Sequence, residues 1–260
     1  MGTANLQSQL WGQHARDWAE VQEGTVVPLY EAVLHKTGVG AGTALLDVGC
    51  GAGMFCQMAN QRGAQVAGLD ATPELLAIAR ERVPLGDFRS GEMEELPYAD
   101  HQFDVVTGFN SFQFAANPAN ALREARRVAR TGAPVVVAVW GKPQDTQAAT
   151  MLAALGSLLP PPPPGAPGPF ALSQEGALEM LVTQAGLTPT KVEEVDTLWS
   201  YPDEETALRG FLSAGPSVRT IQHAGEQAVR DAVAKAIAPF KTASGGYELR
   251  NKFRYLISTA

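Results

Sequence analysis

The sequence predicts a Rossmann-like α/β fold: a seven-stranded, mostly parallel sheet flanked by helices, with N-terminal and C-terminal helical caps. Two observations predict it. From Thr43 onward, short apolar runs alternate with segments of helical period, the rhythm of a parallel sheet covered on both faces. The first of those runs ends in a glycine-rich turn that opens a helix, which is how open α/β sheets build a ligand site at their carboxyl edge. At 260 residues, 45% hydrophobic and 18% charged, the chain can bury a sizeable core and lies outside the compositions of disordered or fibrous chains.

Taken in order, Ala44 to Val48 is the first strand, and glycines 49, 51 and 53 lead into a helix from about Met54 to Gln61 closed by Gly63. Gln65 to Leu69 is the second strand. Thr72, Pro73 and Glu74 supply a capping hydroxyl, a first-turn proline and an acid at the positive dipole end of the next helix. Phe88 to Ser90, Phe103 to Gly108 and Pro134 to Trp140 read as the third, fourth and fifth strands, with a helix from Ala119 to Arg130 ended by Gly132. Gln144 to Leu159 reads as helical. Ser173 to Ala185 is a capped amphipathic helix ending at Gly186, and Lys191 to Trp199 and Tyr247 to Ile257 are the last two strands.

This divides the chain into an N-terminal helical cap (1–40), a core (41–202) interrupted by a proline-rich linker (160–169), an inserted helical cap (203–242) and a final core strand (243–260). The prolines cannot join a sheet ladder. Asp203 to Phe240 holds two or three helices, more than a compact connection needs.

Composition narrows the function. A net charge of −7 argues against tracking a polyphosphate backbone, so no nucleic-acid partner is expected, and Arg123, Arg126, Arg127 and Arg130 read as the solvated face of one helix. Cys50 and Cys56 lack the spacing of a zinc site, so neither a metal nor a disulfide framework is expected. The polar start, Met1 to Leu10, does not read as a secretory signal, and the most apolar run, Pro134 to Trp140, is far shorter than the ~20 residues of a membrane helix. A cytoplasmic monomer or homodimer acting on a small-molecule substrate is the expectation.

The turn Asp47-Val48-Gly49-Cys50-Gly51-Ala52-Gly53 lets a ligand approach the backbone closely. In the dinucleotide pattern GxGxxG the third glycine would fall at Met54, and that pattern normally lacks an acid where Asp47 stands. A carboxylate there suits an ammonium group and clashes with a pyrophosphate. S-adenosylmethionine has the ammonium and no phosphate, while Asp70, at the end of the second strand, can accept both hydroxyls of a ribose.

Through these residues, over roughly Leu45 to Trp140, the sequence resembles the class I S-adenosylmethionine-dependent methyltransferases. Within them it is similar to the ubiquinone/menaquinone-biosynthesis-like small-molecule enzymes (methyltransferase type 11). Ser90-Gly91-Glu92-Met93-Glu94-Glu95-Leu96-Pro97-Tyr98 resembles the family segment that contacts adenine, with Glu92 where Asp is usual. The resemblance implies that Glu92 and Met93 border the adenine and that Asn110 and Phe112 line the methionine side. It also implies that Cys50 and Ala71 contribute to the cofactor site, and that Trp18, in Ala15-Arg16-Asp17-Trp18, packs on the cofactor where tyrosine is common. It implies S-adenosylmethionine as cofactor, S-adenosylhomocysteine as product and an acceptor nucleophile of O, N or C type.

No residue stands out as catalytic: His14, His35, His101 and His223 read as surface or packing residues, His14 and His223 being the better candidates for a base because both lie in the caps. Asn110-Ser111-Phe112-Gln113 replaces the Asn/Asp-Pro-Pro-aromatic motif of base-modifying methyltransferases. Trp11, Trp18, Phe112 and Trp199 are candidates to line an apolar substrate pocket. Two other readings are open: a protein that binds S-adenosylmethionine without transferring methyl, and, disfavoured by Met54 and Asp47, a nicotinamide-dependent oxidoreductase.

Overall fold

A computed structural model describes residues 2–163 and 166–260. Seven strands form one sheet in the order β3-β2-β1-β4-β5-β7-β6. β1 (Ala44–Val48), β2 (Gln65–Asp70), β3 (Asp87–Ser90), β4 (Val105–Phe109) and β5 (Pro134–Trp140) are parallel, and β7 (Tyr247–Thr259) runs antiparallel between β5 and β6 (Thr188–Tyr201). The expected sheet is therefore present. The order reverses between β1 and β4, so their carboxyl ends part and leave a crevice there.

The central strands are apolar on both sides because both faces are covered. On β1, Leu45 belongs to one core with α3 (Val27–Lys36), α4 (Met54–Gln61) and the helices α9 (Glu204–Leu212) and α11 (Glu226–Ile237). Leu46 and Val48 belong to a second core with α6 (Pro118–Val128) and α8 (Ala177–Gln184). Strand alternation places Asp47 on the Leu45 face, where it is 3% exposed.

Several element ends differ from expectation. β4 begins at Val105 because Asp104 turns its carboxylate to the Ala44 N–H (2.8 Å), while Phe103 forms an isolated bridge to Ala129. The helix expected from Gln144 starts at Ala149 (α7, Ala149–Ser157), since Pro143 to Asp145 is a 3₁₀ turn. Ser173 caps nothing: its hydroxyl bonds Phe170 O, and α8 starts after Gly176 in the left-handed region. The Thr72 hydroxyl is likewise not a cap; it makes no capping bond to α5 (Pro73–Arg82), and Thr72 Oγ1 is buried without a partner among the described residues. Gly132 does not end α6, which stops at Val128. Pro164 and Gly165, part of the expected proline-rich linker, lie outside the described residues.

Three helices, α9, α10 (Gly215–Ala224) and α11, occupy the stretch between β6 and β7. The N-terminal stretch comprises α1 (Ala4–Gly12), the single turn α2 (Ala15–Asp17), a π-helical turn (Trp18–Gln22) and a 3₁₀ turn (Glu23–Val26) leading into α3. Among the described residues, no helix is long and apolar enough to cross a membrane.

Candidate active site at the carboxyl edge

The glycine turn after β1 is shaped by its own backbone. Gly49, Gly51 and Gly53 have φ of 78°, 54° and 80°, where side chains are strained. A Cβ on Gly49 would stand 2.3 Å from Ser111 Cβ, and one on Gly53 would stand 2.7 Å from Ala79 Cβ. At Gly51 the nearest atoms, Glu23 Oε1 and Trp18 Nε1, would be 3.7 Å away. Close approach at Gly49 and Gly53 thus serves packing against the β4 loop and α5, and Gly51 alone faces the N-terminal segment.

The N–H groups of Gly49, Cys50, Gly51, Gly53 and Met54 are spent inside the protein. Gly49 and Cys50 donate to Leu69 O (2.7 and 3.0 Å), Gly51 to Asp70 Oδ2 (2.9 Å), Gly53 to Cys50 O (3.0 Å) and Met54 to Glu23 Oε1 (3.2 Å). A phosphate cradle needs such donors free. This turn presents carboxylates in their place.

Three acids converge here. Asp47 accepts a hydrogen bond from Thr107 Oγ1 (2.7 Å); burial pushes its carboxyl up to about 7, and the negative charges of Asp70 and Glu23 push the same way. Asp70 holds the turn with Oδ2 and the start of α5 with Oδ1, which accepts the Thr72 N–H (2.9 Å); burial raises its pKa against those hydrogen bonds. Glu23, 2% exposed, is raised by burial and lowered by its ion pair with Arg82. Arg82 also donates to Ala52 O (2.8 Å) and Ala19 O (2.9 Å), so one guanidinium ties the N-terminal segment to the turn.

At the end of β4, Asn110 has φ 49°, and its Oδ1 is buried without a partner among the described residues. Its neighbour Ser111 bonds Val48 O (2.6 Å), fixing this loop beside Gly49. An unpartnered acceptor and three acids form a ring suited to a cation, and that chemistry fits the ammonium and sulfonium of S-adenosylmethionine.

Asp47, Gly49, Cys50, Gly51, Gly53, Asp70, Ala71 and Asn110 therefore gather at the ends of β1, β2 and β4, and Trp18 reaches the turn over Gly51. Trp18 meets Trp11 edge to face at 4.9 Å. Two residues sit differently from expectation. Phe112 is 1% exposed and packs in the second core, its ring 2.4 Å from where a Gly108 Cβ would be, so it supports the end of β4 from within. Glu92 is held by the N-terminus: its Oε2 accepts the Ala4 N–H (3.0 Å), while Thr3 Oγ1 bonds Phe114 O (2.6 Å). Met93 is half-buried against the second core. Both thiols are buried and pushed well above their ordinary range, which agrees with packing roles.

Sequence reasoning missed Glu23, Arg82, Thr107 and Ser111. Each acts through a partner distant in sequence, and periodicity carries no signal for such pairs.

Comparison with known proteins bears on the same stretch. Residues 46–137 match the family described as Methyltransferase domain. Over this stretch the chain is similar to methyltransferase domains. An uncharacterized protein of Mycobacterium bovis is 32% identical over 128 residues, 48% of this chain and 47% of that one. A malonyl-(acyl-carrier protein) O-methyltransferase of Erwinia pyrifoliae is 28% identical over 185 residues, 71% of this chain and 66% of that one. Among solved structures, a (4+2)-cyclase, SpnF, superposes with a TM-score of 0.53 at 23% identity, covering 87% of this chain and 79% of that one. The chain spans about half the length of the first curated relatives it matches. The stretch so matched runs from within β1 to within β5 and contains the carboxyl ends of β1, β2 and β4.

Proposed function

We propose that this chain transfers a methyl group from S-adenosylmethionine to a small-molecule acceptor through an O, N or C nucleophile. The observation that carries the reading is the ring of Asp47, Asp70, Glu23 and the unpartnered Asn110 Oδ1 around a turn whose donors at Gly49, Cys50, Gly51, Gly53 and Met54 are already used. When bound, S-adenosylmethionine supplies a methyl carbon activated by the sulfonium. Asp70 keeps one further lone pair on each oxygen for the ribose hydroxyls, Asp47 and Asn110 face the amino-acid end, and Gly51 lets Trp18 lie over the ligand. Glu92 and Met93 stand on the adenine side, where the Thr3 and Ala4 contacts close the edge against water. With the electrophile already activated, holding the acceptor in line provides most of the rate.

The methylating relative from Erwinia pyrifoliae supports a small acceptor or one carried on a partner. The net charge of −7, together with the pairing of Arg127 to Glu124 and Asp100 and of Arg130 to Asp104, supports a substrate other than nucleic acid. Titration calorimetry with S-adenosylmethionine, followed by assay for S-adenosylhomocysteine over a panel of phenols, carboxylic acids and amines, tests the reading. Turnover on any acceptor supports it.

One observation favours a second reading, in which the cofactor is bound without methyl transfer: the likeness to a solved (4+2)-cyclase shows that this fold is not tied to one reaction. Tight binding with no turnover across the panel would favour it. The nicotinamide reading lacks support, because the turn offers a pyrophosphate acids in place of free N–H donors.

A further inference from the structure

Two buried side-chain polar atoms without a partner among the described residues adjoin the acid ring: Asn110 Oδ1, on the amino-acid side, and Thr72 Oγ1. Thr72 follows Asp70 by two positions, stands just before α5 and is 1% exposed. Its N–H donates to Asp70 Oδ1 (2.9 Å), which ties the residue to the carboxylate of the ribose reading. Burial raises the Asp70 carboxyl, and the N–H groups of Gly51 and Thr72 and the Thr72 hydroxyl draw it back down. The hydroxyl therefore lies beside the carboxylate without completing a hydrogen bond to it.

The N-terminal segment seals this place. Gly12, at the end of α1, packs so closely that a Cβ there would stand 2.8 Å from Glu74 Oε2 and 3.6 Å from Thr72 Cγ2. Ala15 and Ala19 pack with Leu75 and Ile78 of α5. A hydroxyl enclosed in this way loses its hydrogen bonds to water and recovers none from the protein, which costs free energy until a ligand supplies a partner. Capping does not account for it, since it makes no cap bond to α5.

A ribose diol brings two hydroxyls, each a donor and an acceptor, whereas an ionised carboxylate only accepts. Asp70 can take the two protons, which leaves lone pairs on the ribose oxygens in need of a donor. The N–H groups of Gly49, Cys50, Gly51, Gly53, Met54 and Thr72 already have acceptors, and the Thr72 hydroxyl has none among the described residues. We propose that Thr72 is a further cofactor-binding residue, its hydroxyl donating to a ribose oxygen whose own proton Asp70 accepts. The proposal rests on the methyltransferase reading and adds to its cofactor site a group that distinguishes a ribose from a deoxyribose.

Titration calorimetry of S-adenosylhomocysteine and its 2′-deoxy and 3′-deoxy analogues with the unaltered chain, Thr72→Val and Thr72→Ser tests it. Thr72 has extended backbone (φ −103°, ψ 104°), which valine adopts readily, so Thr72→Val keeps the shape and the N–H and removes the hydroxyl. It is expected to weaken S-adenosylhomocysteine about five- to tenfold, the worth of one hydrogen bond, and to leave one of the two deoxy analogues within about twofold. Thr72→Ser should bind all three as the unaltered chain does. Without ligand, Thr72→Val should melt no lower than the unaltered chain, because the hydroxyl it loses bonds nothing there. Unchanged affinity for S-adenosylhomocysteine in Thr72→Val, a penalty of one size on all three ligands, or a lowered melting temperature would overturn the assignment and leave the methyltransferase reading standing. Failure of that wider reading looks different: S-adenosylhomocysteine then does not bind the unaltered chain either.

Discussion

Arg82, in the last turn of α5, pairs with Glu23 beneath the glycine turn, and both side chains are largely buried, at 17% and 3% exposure. The pair joins three pieces of chain that are remote in sequence: the N-terminal segment, the turn after β1 and the helix after β2. Removing one member of such a pair leaves the other charge buried and unpaired, which costs about 3–5 kcal/mol. Arg82→Met also strands the carbonyls of Ala52 and Ala19. Thermal unfolding is therefore expected to show a loss of several degrees for Arg82→Met and a smaller one for Glu23→Gln, which keeps an acceptor for the Met54 N–H. Equal melting temperatures for all three proteins would show that the pair ties nothing together.

Asp70 carries a double duty that Asn cannot. Each carboxylate oxygen already accepts one backbone N–H, from Gly51 and from Thr72. Asp70→Asn gives one of these sites a donor in place of an acceptor and removes the charge. The cofactor affinity of that variant should fall roughly 10- to 100-fold, the worth of one or two charge-assisted hydrogen bonds. Calorimetry showing unchanged affinity would remove Asp70 from the ribose site.

Asp47 makes binding depend on pH. Its carboxyl is pushed up to about 7, chiefly by burial, so in the free protein it is protonated below that pH and ionised above it. A cationic ligand prefers the ionised form, and S-adenosylmethionine should bind more tightly as pH rises through about 7, with Asp47→Asn flattening the profile. Stability runs the other way. The folded state keeps a proton that the unfolded chain gives up near its ordinary pKa of 3.8, so this group's contribution falls as pH rises from about 4 to 7. Without ligand, Asp47→Asn should melt several degrees above the unaltered chain at pH 8 and close to it at pH 4. A profile with the same slope in both proteins would contradict the assignment.

The three glycines of the turn differ in what a methyl group meets. At Gly51 the cost is that of a left-handed alanine, about 1–2 kcal/mol. Gly49 and Gly53 add the clashes with Ser111 and Ala79. Urea unfolding should rank Gly49→Ala and Gly53→Ala as clearly more damaging than Gly51→Ala, and a reversed order would mean that packing does not shape the turn.

Much of the sheet was legible because local signals agreed with the global fold. β1, α4 and β5 have the bounds their patterns predict, since each is an apolar run or amphipathic helix closed by glycine or a polar residue. The errors occur where a side chain takes over a backbone role. Asp104 bonds Ala44 and delays β4, and Asp70, not the Thr72 hydroxyl, organises the start of α5. β6 extends to Thr188–Tyr201 because β7 pairs with it far beyond the end of β5. In the candidate site, Asp47, Asp70 and the glycines could be read from order along the chain, whereas Glu23, Arg82, Thr107 and Ser111 become visible only when distant segments meet.

The central claim, that the acid ring holds a cationic cofactor, is tested most directly by titrating the chain with S-adenosylmethionine in a calorimeter at pH 8, beside NAD under the same conditions. Saturable binding of S-adenosylmethionine at one site per chain, lost in Asp70→Ala, with no heat from NAD, is the predicted result. Binding of NAD in place of S-adenosylmethionine, or of neither, would contradict the account.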